Sequence, residues 1–121
     1  MDAKGDDMSE ATQKAIQGFH DALNSHDIDA LALLVHEECV FETTDPPDGT
    51  RHVGRVAVLE ACRQFFDQSP QAHFEMEEIR IMGDRAVVLW RYEWADGHVR
   101  GVDLVRVRDQ KVVETFAYVK G

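Results

Sequence analysis

Residues 86–119 read AVVLWRYEWADGHVRGVDLVRVRDQKVVETFAYV, and this stretch decides the fold. Successive strand residues face opposite sides of a sheet, so alternation sorts the stretch into two faces. In a strand over 86–94, Val88, Trp90, Tyr92 and Trp94 share one side; Leu89, Arg91 and Glu93 share the other. Ala95–Asp96–Gly97 turns the chain into a strand over 99–108. There Val99, Gly101, Asp103, Val105 and Val107 lie together, opposite Arg100, Arg106 and Arg108 mixed with Val102 and Leu104. Asp109–Gln110 then turns into a last strand over 111–119. The apolar face holds both tryptophans and must be covered. Its one charge is Asp103.

Working outward, 74–82 adds a fourth strand, closed by Gly83–Asp84, so the C-terminal half reads as a meander. The N-terminal half reads as helices. Ser9 is a helix cap, followed by Ala11, Ala15, Phe19, Ala22 and Leu23 at three- and four-residue steps. Asn24–Ser25–His26 breaks that pattern. Asp27 caps a second helix with Ile28 at its entry and Leu31, Leu34 and Val35 on its apolar face. Residues 40–44 are β-prone, 45–49 (Asp-Pro-Pro-Asp-Gly) form a loop, and 51–53 form a short return strand. Gly54 leads into a third helix with Val58, Leu59, Cys62, Phe65 and Phe66 on its apolar side, stopped by Pro70. Helices first and strands afterwards indicate α+β architecture: three helices packed on a strongly curved, mostly antiparallel sheet that encloses a pocket.

Composition narrows the function. The 121 residues carry 13 Lys+Arg against 23 Asp+Glu, a net charge of −10, which disfavours nucleic acid and anionic membrane as partners. The length suits one domain, expected over 9–121, with an acidic disordered tail over 1–8 that includes Asp2, Asp6 and Asp7. No apolar run is long enough to span a bilayer, and the N-terminus lacks a secretory pattern. Cys39 and Cys62 are far apart and form no C-x-x-C pair; they read as core thiols of a cytoplasmic protein, with a disulfide as the weaker alternative. The six histidines show no ligand spacing, and no Gly-rich phosphate loop or nucleophile elbow is present, so neither metal nor cofactor is expected.

Ala22–Leu23–Asn24 followed by Asp27–Ile28–Asp29, Gly54 at the third helix, Gly101–Val102–Asp103–Leu104–Val105–Arg106, and Lys111–Val112–Val113 occur in an order that resembles the NTF2-like superfamily. The likeness is to its SnoaL-like and ketosteroid-isomerase-like branch and runs from Ala11 to Gly121. It implies a cone-shaped roll with a deep pocket between helices and sheet, and dimerisation through the outer sheet face. Ketosteroid isomerases use an aspartate base with a tyrosine and a protonated aspartic acid as oxyanion donors. Carried over, the protonated acid falls on Asp103, the base on Thr43 and the tyrosine on Phe19. Two of the three groups are missing, so isomerisation by that route is not expected. Asp45, two residues beyond Thr43, is the candidate for a displaced base.

The candidate catalytic residues are therefore Asp103 and Asp45, and the candidate ligand contacts are Phe19, His20, Phe41, Thr43, Trp90, Tyr92, Trp94 and Val119. An unpaired carboxylate in an apolar pocket either finds donors or takes up a proton. Asp103 thus reads either as a ligand-facing acid or as a structural acid bonded to Tyr92, an indole N–H or water. The three aromatic residues of its face read either as pocket lining or as core filling. His20 and His52 lie nearest the expected mouth. The expected partner is a small apolar molecule bearing a carbonyl or hydroxyl, handled by an enzyme of proton-transfer type or by a non-catalytic binding or dimerisation module. Leu104, Phe116 and Tyr118 among outward arginines suit a homodimer interface.

Overall fold

The computed structural model describes residues 3–120, with backbone alone for 3–7. Its elements are α1 (Ala3–Asn24), α2 (Ile28–Leu34), β1 (Val35–Glu42), β2 (Arg51–Val53), α3 (Arg55–Gln68), β3 (His73–Met82), β4 (Arg85–Trp94), β5 (Gly97–Arg108) and β6 (Lys111–Val119). The six strands form one sheet in the order β2-β1-β6-β5-β4-β3. β1 runs parallel to β6 and every other pair is antiparallel. The expected meander is therefore present, extended at its β6 edge by the strand that follows the first two helices.

Each helix covers the sheet with the side its sequence pattern marks as apolar. Leu31 of α2 and Val58 of α3 are fully buried against Val35, Cys39 and Val112 of the sheet, while Ala15, Ile16 and Phe19 bring α1 into the same core. Bulges between Met76 and Glu78, and between Arg106 and Val107, bend the long strands around the helices. Asp27 caps α2 as its sequence position indicates, its Oδ1 accepting from Ala30 N–H at 3.0 Å. The preceding break is sharp because His26 takes the left-handed conformation, φ 55°.

Two boundaries differ from expectation. α1 begins at Ala3, so Ser9 lies inside a helix and does not cap one. Of the tail expected over 1–8, residues 3–8 lie in α1 and residues 1–2 lie outside the described residues. Val35 belongs to β1, not to α2: its backbone is extended, φ −97° and ψ 122°, while its N–H closes α2 on Leu31 O. A register shift separates the Val35↔Val112 pair from the Val40↔Glu114 pair, so Val35 and Cys39 are buried four residues apart and the two-residue period is interrupted.

The outer face of the sheet carries Leu104 and Tyr118, 42% and 56% exposed, with Phe116 beside them. Arg51 stands 5.8 Å over the Phe116 ring, and Arg100 and Arg106 pair with Glu77 and Asp84 at 2.9 and 3.3 Å. Exposed pairs of this kind contribute about 0–1 kcal/mol each. They fix side chains more than they stabilise the fold.

Candidate functional site

A cavity of about 400 Å³ lies between the helices and the inner face of the sheet. α1 contributes Phe19 and His20, β1 contributes Phe41 and the chain leaving it Thr43 and Thr44, and β6 contributes Thr115 and Val119. Alternation along β4 delivers Val88, Trp90, Tyr92 and Trp94, and β5 delivers Val99, Asp103 and Val105. The aromatic wall is continuous: Phe74 meets Tyr92 at 4.8 Å and Trp90 edge-on at 5.6 Å, and Tyr92 meets Trp94 at 5.6 Å. Contacts of this geometry hold the rings in place beyond their area burial.

Asp103 is the acid of this cavity. Trp90 Nε1–H donates to its Oδ1 at 3.0 Å, so the alternative of an indole partner is realised. Among the described residues Oδ2 has no hydrogen-bond partner, and it is not sealed from access, so it opens onto the cavity. The residue as a whole is half-buried. Burial pushes its pKa from the ordinary 3.8 up to about 7, and the Trp90 hydrogen bond offsets part of that rise by favouring the charged form. A group titrating there is present in both forms near neutrality. It can donate from Oδ2 to a ligand carbonyl or accept a proton from one.

Gly101 makes the Trp90–Asp103 contact possible. It sits directly across from Trp90 in the β4–β5 ladder, and a Cβ there would fall 2.5 Å from Trp90 Cζ2 and 2.6 Å from Cη2. The bare backbone lets the indole lie over β5 and reach the residue two positions further along the same face. Gly97 serves Trp94 likewise, where a Cβ would come 2.8 Å from Cζ2.

Thr43 lines the cavity, but Asp45 does not. Asp45 is exposed in the loop after β1, where Thr43 Oγ1–H donates to its Oδ1 and Thr50 Oγ1–H donates to its Oδ2 at 2.9 Å. These bonds favour the ionised form and lower its pKa. β1 ends at Glu42, so the strand alternation that would turn Asp45 inward does not extend that far. Thr43 Oγ1 also accepts from Thr50 N–H at 2.9 Å.

Every other expected contact lines the cavity: Phe19, His20, Phe41, Trp90, Tyr92, Trp94 and Val119. His52 does not; it packs against Phe41 at 6.3 Å on the return strand. The sequence reading did not assign Ala61, Cys62 and Phe65 of α3, Phe74 and Met76 of β3, or Thr115 to the site. The apolar stripe of α3 was visible, but nothing in it distinguishes core from cavity. Thr115 is 2% exposed and pairs with Val105, two residues from Asp103, so an inward threonine on β6 was the available signal. Both cysteines are free and buried; burial pushes Cys39 up to about 12 and Cys62 up to about 11, which keeps them as thiols. No cluster of three or more His, Cys, Asp or Glu side chains arranged to hold a metal occurs among the described residues.

The comparisons with known proteins agree with this architecture. A solved NTF2-like protein of unknown function from Mesorhizobium loti is 46% identical, with 93% of each chain covered and a TM-score of 0.83. A protein from Kribbella flavida provisionally named a ketosteroid isomerase is 22% identical over 93% of this chain and 80% of its own, with a TM-score of 0.80. One from Sinorhizobium meliloti provisionally named a polyketide cyclase is 20% identical over 88% and 94%, with a TM-score of 0.74. The latter two share the fold. No curated protein matches the sequence. The SnoaL-like domain family matches residues 16–115, and the chain belongs to that family within the NTF2-like superfamily.

Proposed function

We propose that this protein binds a small, mainly apolar molecule bearing a carbonyl or hydroxyl, and that Asp103 polarises that oxygen or exchanges a proton with it. The observation that carries the reading is the Asp103 carboxyl, held at Oδ1 by Trp90 and open at Oδ2 to an aromatic-walled cavity of about 400 Å³. Pockets of this kind take their affinity from apolar walls and their orientation from a few polar groups. The names of two structural neighbours, ketosteroid isomerase and polyketide cyclase, are those of enzymes working on ketone-bearing carbon skeletons. One observation favours the non-catalytic reading: Trp90, the hydrogen-bond partner of Asp103, does not titrate, and no second acid or base among the described residues bonds directly to the carboxyl. Chemistry here would therefore rest on a single carboxyl, with the rest of the cavity supplying orientation.

The same reading includes a homodimer through the outer face of Leu104, Phe116 and Tyr118, and a cytoplasmic, reducing location suited to two buried free thiols. No helix among the described residues is long and apolar enough to cross a membrane.

The test is a matched pair of probes, methyl naphthyl ketone and isopropylnaphthalene, titrated against tryptophan fluorescence. Wild type should prefer the ketone, and Asp103→Leu should abolish that preference by weakening ketone binding roughly tenfold, the worth of one buried hydrogen bond. Equal binding of both probes by wild type, or an unchanged preference in the variant, would remove the basis of the proposal.

A further inference from the structure

Two polar side chains are buried among the described residues, Thr12 at 1% and Thr115 at 2% exposure, and their hydroxyls are treated differently. Thr12 on α1 holds its hydroxyl against the carbonyl oxygens of Met8 and Gly83, at 2.9 and 2.7 Å. Thr115 on β6 has no such arrangement. Among the described residues its Oγ1 makes no hydrogen bond to protein, and no sealed polar atom is left unsatisfied there, so the oxygen opens onto the cavity that Thr115 lines. A hydroxyl kept dry and unpaired costs free energy that a valine of the same shape would not. The position therefore suits a ligand contact better than a core.

The register of the sheet places that hydroxyl beside Asp103. β5 and β6 pair Asp103 with Ala117 and Val105 with Thr115, so Asp103 and Thr115 are diagonal neighbours on the face that lines the cavity. Diagonal neighbours stand roughly 7–8 Å apart at Cα and closer at Cβ. That spacing leaves room for one oxygen accepting two hydrogen bonds of about 2.8 Å, one from each side chain. The two do not bond each other. The hydrogen bond that Asp103 makes is to Trp90, which stands opposite Gly101 on its other side. We propose that Thr115 is a ligand-binding residue, and that its hydroxyl and the Asp103 carboxyl meet on a single carbonyl oxygen of the ligand. A carbonyl oxygen has two lone pairs, so it accepts from Thr115 Oγ1–H and from Asp103 Oδ2–H together. This inference rests on the functional reading above and adds to it the second group that holds the same oxygen.

Thr115→Val keeps the branched shape and removes only the hydroxyl. In the unliganded variant the urea midpoint should equal or exceed that of wild type, because no protein hydrogen bond is lost and an apolar group replaces a dry hydroxyl. A midpoint well below that of wild type, or a variant that does not fold, would show that the hydroxyl serves the fold and would overturn the proposal.

Titration of the same variant with methyl naphthyl ketone and isopropylnaphthalene, followed by tryptophan fluorescence, then reads the contact itself. Thr115→Val should weaken the ketone roughly tenfold and leave isopropylnaphthalene as it is, and Thr115→Ser, which returns the hydroxyl, should restore the wild-type preference for the ketone. An unchanged ketone affinity, an equal loss for both probes, or a serine variant no better than the valine one overturns the proposal. Asp103→Leu separates this outcome from the wider reading. If that variant loses the ketone preference and Thr115→Val keeps it, the Thr115 contact alone is wrong; if wild type shows no preference for the ketone, both fall.

Discussion

The indole N–H of Trp90 donates to Asp103 Oδ1 at 3.0 Å, crossing from β4 to β5 over the bare backbone of Gly101. The contact is diagonal in the ladder, since Trp90 pairs with Gly101 and Asp103 pairs with Val88. It fixes the orientation of the carboxyl and leaves one oxygen for the cavity. The polar centre of the site is thus built from one acid, one indole and one missing side chain.

Asp103 should make the fold lose stability as pH rises. Its folded pKa of about 7 lies above the ordinary 3.8, so the fold binds this proton more tightly than the unfolded chain does. The contribution is complete below about pH 4 and is lost as pH climbs through 7, with a ceiling on the order of 4 kcal/mol. The comparison is with Asp103→Asn, which should lack this component. Urea unfolding at pH 5 and pH 8 should show wild type losing more stability than the variant between the two values. Parallel losses would contradict the shift.

Gly101→Ala should displace the Trp90 indole. A Cβ there would press on the Tyr118 carbonyl oxygen of β6 as well as on Trp90 Cζ2 at 2.5 Å, which cannot be tolerated without movement, and overpacking of this kind costs about 1–3 kcal/mol. Losing the indole hydrogen bond should also raise the Asp103 pKa further, because that bond is what lowers it. A variant with wild-type tryptophan emission and wild-type stability would show that the strand shifts to accommodate the methyl.

Asp45→Asn should leave ketone binding by the cavity unchanged. The carboxylate is exposed and holds Thr43 and Thr50 within its own loop. Its replacement should leave the urea midpoint close to that of wild type, as expected for a surface position. A tenfold loss of probe binding would return Asp45 to the site.

The homodimer proposal is tested by light scattering at micromolar concentration. Wild type should have twice the 13.7 kDa chain mass. Leu104→Glu with Tyr118→Glu should give monomer, because charge placed at the centre of an apolar interface is costly to desolvate. A monomeric wild type would refute it.

How far the sequence reveals this site depends on the period of each element. β4 and β5 alternate without interruption from Val88 to Trp94 and from Val99 to Asp103, so their inward residues, Asp103 included, were legible. Val35 was not, because the shift in β1 separates it from Cys39 by four residues, a helical spacing that imitates the face of α2. Asp45 was misdirected for a related reason: the alternation projected inward from Thr43 ends with the strand at Glu42. Asn24 was visible only as a helix break and a shared motif. Its partner Phe74 is fifty residues away, and local pattern has no means of announcing such a contact.

The central claim is that the Asp103 carboxyl is an open, half-protonated acid near neutrality. The most direct measurement is its titration by NMR in protein with carbon-labelled aspartate, assigned by loss of the signal in Asp103→Asn. The account predicts a midpoint about 7 that moves when methyl naphthyl ketone is added. A midpoint near 4 that is indifferent to the ketone would contradict it.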